Sequence, residues 1–515
     1  MSISPRVRAH AAALIGAALC LATVVAQDLL PGARRVASSA AGQAIDRGLR
    51  VTGPPRAVRK STDSYTRRAN PNARYLPDSV IVKFRAGTSP AAQAAIRALV
   101  QGRATARLSY ASFDVVALDS GADPEAVAQR LASQPDIEYA QARYRVRPLF
   151  RPNDPLYPLQ WNFPAIDMER AWDINRGASS SVVVAVLDSG LAYLNSSFDF
   201  IQNAAQSIDG LVYPALGTVR LPFAAAPELG AADRFVAPRD FIWDDTQPID
   251  LDGHGTHVGG TIAQVTSNSI GVAGMAFNVR LMPVKVIDGF WDAYFLSPFI
   301  GTDDVVARGI RYAADNGATI INMSIGRDGP PAPAVQDAVV YAVSRGAFVA
   351  VAASNEFLEG NPTPRFAELA PGINGMVSVA AVGRDRQRAV YSGTGGFVEL
   401  AAPGGDSVRG GTPAMILQQT YDFGFTDTFI NGAVGFRAPR FDVFEYIYYE
   451  GTSMATAHVS GLAALLYQQG ITSPAAIEAA MKRSATDLGA SGRDNEYGYG
   501  LINPRNALRG LGILR

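Results

Sequence analysis

Gly451-Thr452-Ser453-Met454-Ala455-Thr456-Ala457-His458 sets a hydroxyl among small residues, ahead of an apolar run through Val459, Leu462, Leu465 and Leu466. That spacing predicts a helix starting near Ser453, with Gly461, Ala463 and Ala464 letting it pack deep in a core. A serine in the first turn of such a helix lies among free backbone N–H groups that favour negative charge. With a base beside it, the hydroxyl could act as a nucleophile; without one, Thr452 or Ser453 is an ordinary helix cap. Candidate partners lie far upstream. Asp188-Ser189-Gly190 carries a carboxylate, Asp252-Gly253-His254-Gly255-Thr256-His257-Val258 an imidazole pair, and Asn355 an amide. Three of the chain's four histidines fall in these motifs. Read one at a time, Asp188 and Asn355 fit turns, and His254 and His257 fit satisfied core histidines.

The elements that must position these residues can be read from apolar runs. Ser181 to Leu187, Leu281 to Ile287, Ala318 to Met323, Ala347 to Ala353 and Met376 to Val382 are continuous rather than alternating, as in strands covered on both faces. Helical periods over 303–316 and 334–345 separate them. Strands alternating with helices predict an α/β fold with a doubly wound, mostly parallel sheet and helices on both faces, whose site lies beyond the carboxyl ends of the strands. Asp188 and Asn355 stand at two such ends. Upstream, strands at 78–84, 113–118 and 137–146 and helices at 90–101 and 123–132 form a compact α+β unit, with Asp123 as N-cap and Pro124 at the first helical position.

Taken together, the motifs closely resemble those of the subtilisin-like serine peptidases (subtilases, peptidase family S8). The order Asp188, His254, Ser453 is the order found in subtilisin and differs from those of the chymotrypsin and α/β-hydrolase classes. Val186-Leu187-Asp188-Ser189-Gly190, His254-Gly255-Thr256-His257-Val258 and Gly451-Thr452-Ser453-Met454-Ala455 each match the family pattern around one triad member. Ile321 to Gly326, Ala402-Pro403-Gly404 and Tyr499 to Asn503 are also similar. The likeness spans roughly 152–509, and residues 74–147 resemble the family's inhibitor-like, ferredoxin-like propeptide. The family usually carries Gly before its oxyanion asparagine; this chain has Ser354.

The resemblance implies a serine endopeptidase made as a self-processing zymogen and working through an acyl-enzyme. Asp188, His254 and Ser453 are its catalytic residues, and Asn355 its oxyanion donor. Ser324, Ile325, Gly326, Ala352, Ala353 and Ser354 line the substrate cleft, with a pocket floor from either Glu368 or Leu369; the apolar floor is expected because a solvated glutamate is the commoner fate. No cofactor is required for the chemistry. A structural Ca²⁺ with Asp154 as ligand is suggested by relatives that bind it near the start of the mature domain, although Asp154 also fits an Asx turn. The expected partners are polypeptide substrates and the chain's own propeptide, with no nucleic acid and no membrane span in the mature form.

Composition agrees with a folded, exported protein. The chain has 515 residues, 48% hydrophobic and 18% charged, and its 46 basic residues balance 46 acidic ones, so no overall charge calls for nucleic acid. Arg6, Arg8 and His10 precede an apolar run to Ala26 that ends in small residues, which reads as a signal peptide over 1–26 and a secreted or extracytoplasmic location. A Pro-, Ser- and Arg-rich linker fills 27–73, the propeptide 74–147 and the catalytic domain 148–515, with insertions at 192–245 and 405–450. The one cysteine, Cys20, falls inside the signal, which excludes disulfides and thiol catalysis in the mature chain. Two rival classes are a catalytically inactive binding protein of the same fold, and an aspartic protease using the Asp-Ser-Gly sequences at Asp119 and Asp188.

Overall fold

The computed structural model describes residues 75–104, 110–119, 121–144, 150–208, 211–213, 215–298, 300–421 and 439–512. The signal peptide read over 1–26 and the linker over 27–73 lie outside them. The chain divides after Pro148 into two units.

The N-terminal unit contains β1 (Tyr75–Phe84), α1 (Pro90–Ala98), β2 (Arg103–Ala104), β3 (Asp114–Ala117), α2 (Pro124–Ala132) and β4 (Ile137–Tyr144). Its antiparallel sheet runs β2-β3-β1-β4, the order of a ferredoxin-like fold. Val80 and Val82 of β1 point inward with Val116, and Ile96, Val127 and Leu131 from the helices close the core over them. Asp123 caps α2 by accepting the Glu125 N–H at 3.0 Å, with Pro124 in the first turn.

In the C-terminal unit β5 (Val183–Asp188) lies in a seven-stranded sheet with β10 (Arg239–Asp240), β11 (Arg280–Lys285), β12 (Ile320–Met323), β13 (Phe348–Ala352), β14 (Met376–Val382) and β15 (Leu400–Pro403). The order is β10-β11-β5-β12-β13-β14-β15, and every neighbouring pair is parallel. Five of these strands are the predicted apolar runs. The longer helices are α3 (His254–Ala263), α4 (Asp303–Asp315), α5 (Pro333–Ser344), α6 (Thr452–Gln468), α7 (Pro474–Ser484) and α8 (Pro504–Gly512). β5 shows why its run is unbroken: Val184 and Val186 belong to one apolar cluster with Val258 and Ile262 of α3 and Leu462 of α6, while Val183, Ala185 and Leu187 belong to another with Ile310 of α4 and Val339 of α5. Both faces are covered, so no polar alternation survives.

The two insertions fold as hairpins. β6 (Ser196–Gln202) pairs with β9 (Gly217–Phe223), enclosing the small β7 (Gln206–Ile208) and β8 (Leu211–Tyr213). β16 (Ile416–Tyr421) pairs with β17 (Phe444–Tyr449), which leads straight into α6. The hairpins join: Phe223 bridges Phe441, and their rings stack 4.9 Å apart at 3°. Among the described residues no helix is long and apolar enough to cross a membrane.

Candidate active site

Asp188 ends β5, Met323 ends β12 and Ala352 ends β13, and the parallel registers Leu187 with Met323 and Met323 with Val351 put Asp188, Ser324 and Ala352 in one row at the carboxyl edge. Chain from three other elements meets this row. The His254 helix reaches it by passing close to Gly190 and Gly255: a Cβ on Gly190 would lie 2.6 Å from the Ile249 carbonyl, and one on Gly255 would lie 2.1 Å from the Gly190 carbonyl. No larger residue allows these backbones to approach so closely.

His254 Nδ1–H donates to Asp188 Oδ1 at 2.7 Å, which fixes the tautomer and leaves Nε2 as the free base. Asp188 also accepts the Ser189 N–H at 2.8 Å. Burial opposes charging the His254 ring, but Asp188, helped by Asp252 and Asp250, outweighs it and raises the ring above its ordinary 6.5. His257 differs. Its Nε2–H is shared between the carbonyls of Ile416 and Ile447 at 3.1 Å each, its ring stacks on Tyr449, and burial lowers it to about 3. His458 is likewise a core histidine, donating from Nδ1 to the Met454 carbonyl and accepting from Asn162.

Ser453 lies in the first turn of α6 and is 8% exposed. Its hydroxyl donates to the Ser324 carbonyl at 3.1 Å, and Ser324 Oγ donates back to the Ser453 carbonyl at 2.8 Å. The Ser453 hydroxyl is therefore turned to Ser324 rather than hydrogen-bonded to His254. Asn355 is exposed, and its Oδ1 accepts both the N–H and the hydroxyl of Thr452 at 2.9 Å. With Oδ1 so committed, Nδ2 is left as the outward donor, 3.4 Å from where a Cβ on Gly451 would stand. Ser354 adopts the left-handed φ of +85° that a glycine would take freely, so the loop before Asn355 keeps that shape at some backbone strain.

Ile325 and Ala352 are buried at the carboxyl ends of β12 and β13, and Gly326 is open, with nothing within 4 Å of a Cβ placed on it. Ala353 is fully buried with Ala380 and Val398, so its methyl belongs to the core. Glu368 is gripped by Arg365 at 3.0 and 3.1 Å, while Leu369 packs on the sheet's apolar layer. The carboxylate already has its cation.

Asp154 is buried, and its oxygens accept the N–H groups of Ser267 and Asn268 at 2.8 and 3.1 Å. No group of three or more His, Cys, Asp or Glu suited to a metal occurs among the described residues. Asp154 caps the loop. Asp119 is an exposed partner of Arg103 in the N-terminal unit.

Sequence reasoning missed Thr452, which orients Asn355, and Asp250, whose carboxylate accepts Ser189 Oγ, the N–H groups of Asp252, Gly253 and Thr256, and Thr256 Oγ1. The sequence Asp-Leu-Asp-Gly-His was the available signal, since an Asp just ahead of a helix with several open amides is a natural acceptor.

The parallel sheet, the Asp188–His254 pair and a serine at the start of a buried helix define a serine peptidase of the subtilisin type. The Subtilase family profile matches residues 179–500 and the fervidolysin N-terminal prodomain profile matches 61–142. The chain is 30% identical over 440 residues to the thermophilic serine proteinase of Bacillus sp. strain AK1, covering 84% of this chain and 88% of that protein. It is 30% identical over 398 residues to an extracellular protease of Xanthomonas campestris pv. campestris, covering 74% of this chain and 61% of that protein. A solved protease from Pseudoalteromonas arctica superposes with a TM-score of 0.52 at 27% identity, covering 70% of this chain and 99% of that one. The chain belongs to the subtilase family and is a subtilisin-like serine peptidase with an N-terminal prodomain. Membership in a serine class removes the aspartic reading.

Proposed function

We propose that this peptidase cleaves internal peptide bonds with Ser453 as nucleophile, His254 as general base and Asp188 as the carboxylate that orients it. The observation that carries the reading is the 2.7 Å Asp188–His254 bond, made at the same sheet edge as Ser453 and Asn355. In the reaction the Ser453 hydroxyl swings from the Ser324 carbonyl to His254 Nε2, gives up its proton as it attacks the substrate carbonyl, and His254 returns that proton to the leaving amine. Water then attacks the acyl-enzyme by the same route in reverse. Asn355 Nδ2 and the Ser453 N–H hold the oxyanion. Because Arg365 neutralises Glu368, the pocket floor is read as apolar, with Leu369 at its base and preference for large apolar side chains.

The resemblance to extracellular relatives and the N-terminal signal support export, with 74–147 acting as an inhibitor and folding aid supplied in cis and 148–515 as the mature enzyme. A Ser453→Ala chain is expected to accumulate with the prodomain still attached and to resist labelling by a fluorophosphonate; a processed, active Ser453→Ala protein overturns the assignment. The separately made prodomain, added to mature enzyme at micromolar excess, is expected to inhibit it.

A further inference from the structure

Lys285 ends β11 in register with Asp188 and is fully buried, an unusual place for an ammonium. Its Nζ donates to Asp292 at 2.9 to 3.0 Å and to the Ile249 carbonyl at 2.9 Å. Asp292 is also fully buried and accepts from Trp243 Nε1 at 2.6 Å and the Gly289 N–H at 3.0 Å, so it cannot swing away. Asp240 and Asp250 complete the charged surroundings of the ammonium. Such a pair is costly to desolvate and by itself adds little stability.

Its contact with Ile249 suggests a different use. Ile249 passes over Gly190 and is followed by Asp250, and Asp250 holds both Ser189 Oγ beside Asp188 and the N–H groups that open the His254 helix. A closed circuit results. It runs from Asp188 across the strand pair to Lys285, through Nζ to Ile249, along the chain to Asp250, and through the helix start to His254, which bonds Asp188.

We propose that Lys285 is a positioning residue for the peptidase reaction: held by Asp292, its ammonium grips the Ile249 carbonyl and fixes the 249–254 segment that presents His254 to Asp188. The proposal rests on the reading of Asp188 and His254 as a catalytic pair. The sign of its effect separates it from plain electrostatics. Removing a cation leaves His254 facing Asp188, Asp250 and Asp252 with more uncompensated negative charge, which shifts its titration upward. Loosening the Asp188–His254 bond shifts it downward, toward 6.5.

The test measures kcat, KM and the acid limb of kcat/KM in the full chain carrying Lys285→Met or Lys285→Gln; where maturation is slow, the pH dependence of self-processing is read instead. Lys285→Met is expected to lower kcat about tenfold with KM within twofold, and to move the acid limb down by about one pH unit. Lys285→Gln, whose amide can still donate to Ile249, should recover most of both. If Lys285→Met does not fold, the charge-neutral double variant Lys285→Met with Asp292→Asn, which removes the grip on Ile249 without changing the net charge around His254, should move the limb the same way. An unmoved or raised limb in a folded variant, or a Gln variant no better than Met, overturns the proposal. His254→Ala in the same assay separates the outcomes: if it retains the wild-type acid limb, the catalytic pair has failed rather than the lysine.

Discussion

At the scale of single residues, Asn355 is worth separating from the partner that aims it. As the proposed oxyanion donor it would act on charge that develops only in the transition state, so Asn355→Ala is expected to reduce kcat about 100- to 1,000-fold while KM changes little. Thr452→Val removes the hydroxyl that binds Asn355 Oδ1 but keeps the backbone N–H bond, so its loss in kcat should be a fraction of that. Steady-state kinetics on one peptide substrate decides; equal losses in the two variants would mean that Thr452 acts directly on substrate. Asp154 calls for a different assay. Asp154→Ala deletes two amide bonds to a buried carboxylate and should cost about 1.5 to 3 kcal/mol for each such bond, in calcium or in chelator alike. A loss that appears only in calcium would assign a metal site to this loop.

Among the elements, the β16–β17 hairpin links the two helices that carry chemistry. His257 on α3 holds both of its strands, Thr420 Oγ1 donates to the Gly253 carbonyl at the start of α3, and β17 runs into Ser453. The His257 ring is held neutral: it is lowered to about 3 in the fold against 6.5 when unfolded. Between those values the unfolded chain binds the extra proton, so the stabilisation is complete above pH 6.5 and is lost as pH falls toward 3; His458, lowered to about 4, acts in the same direction. Urea unfolding of His257→Asn between pH 6.5 and 4 should show a slope shallower than wild type by about 1.4 kcal/mol per pH unit; an unchanged slope would mean that His257 is not the group titrating. The hairpin also shows what a sequence conceals. The five central strands announce themselves because both faces are apolar. β16 is buried along its whole length yet reads Gln418-Gln419-Thr420, since those side chains serve the Ala273 carbonyl, the Glu228 N–H and the Gly253 carbonyl across the core. Local pattern cannot reveal partners more than a hundred residues away. β10 has only two residues, too few to show a period. Of the site, the triad candidates and Asn355 were legible because each stands at a strand end or helix start; Thr452 and Asp250 were not, because their roles exist only after other chain arrives.

For the molecule as a whole, the two insertions that flank the site are stitched through Phe223 and Phe441. Both rings are nearly inaccessible, so either Phe→Ala change should cost about 3 to 5 kcal/mol. The double variant should cost less than the sum by about 0.5 to 3 kcal/mol, as expected of residues in contact. Thermal or urea unfolding of the four proteins measures the coupling, and strict additivity would show that the insertions are independent. The bridge makes two distant stretches of chain a single transplantable part. Moved alone into a relative, either hairpin would arrive with a bare aromatic face and no mate; moved together, they bring their own seam with them.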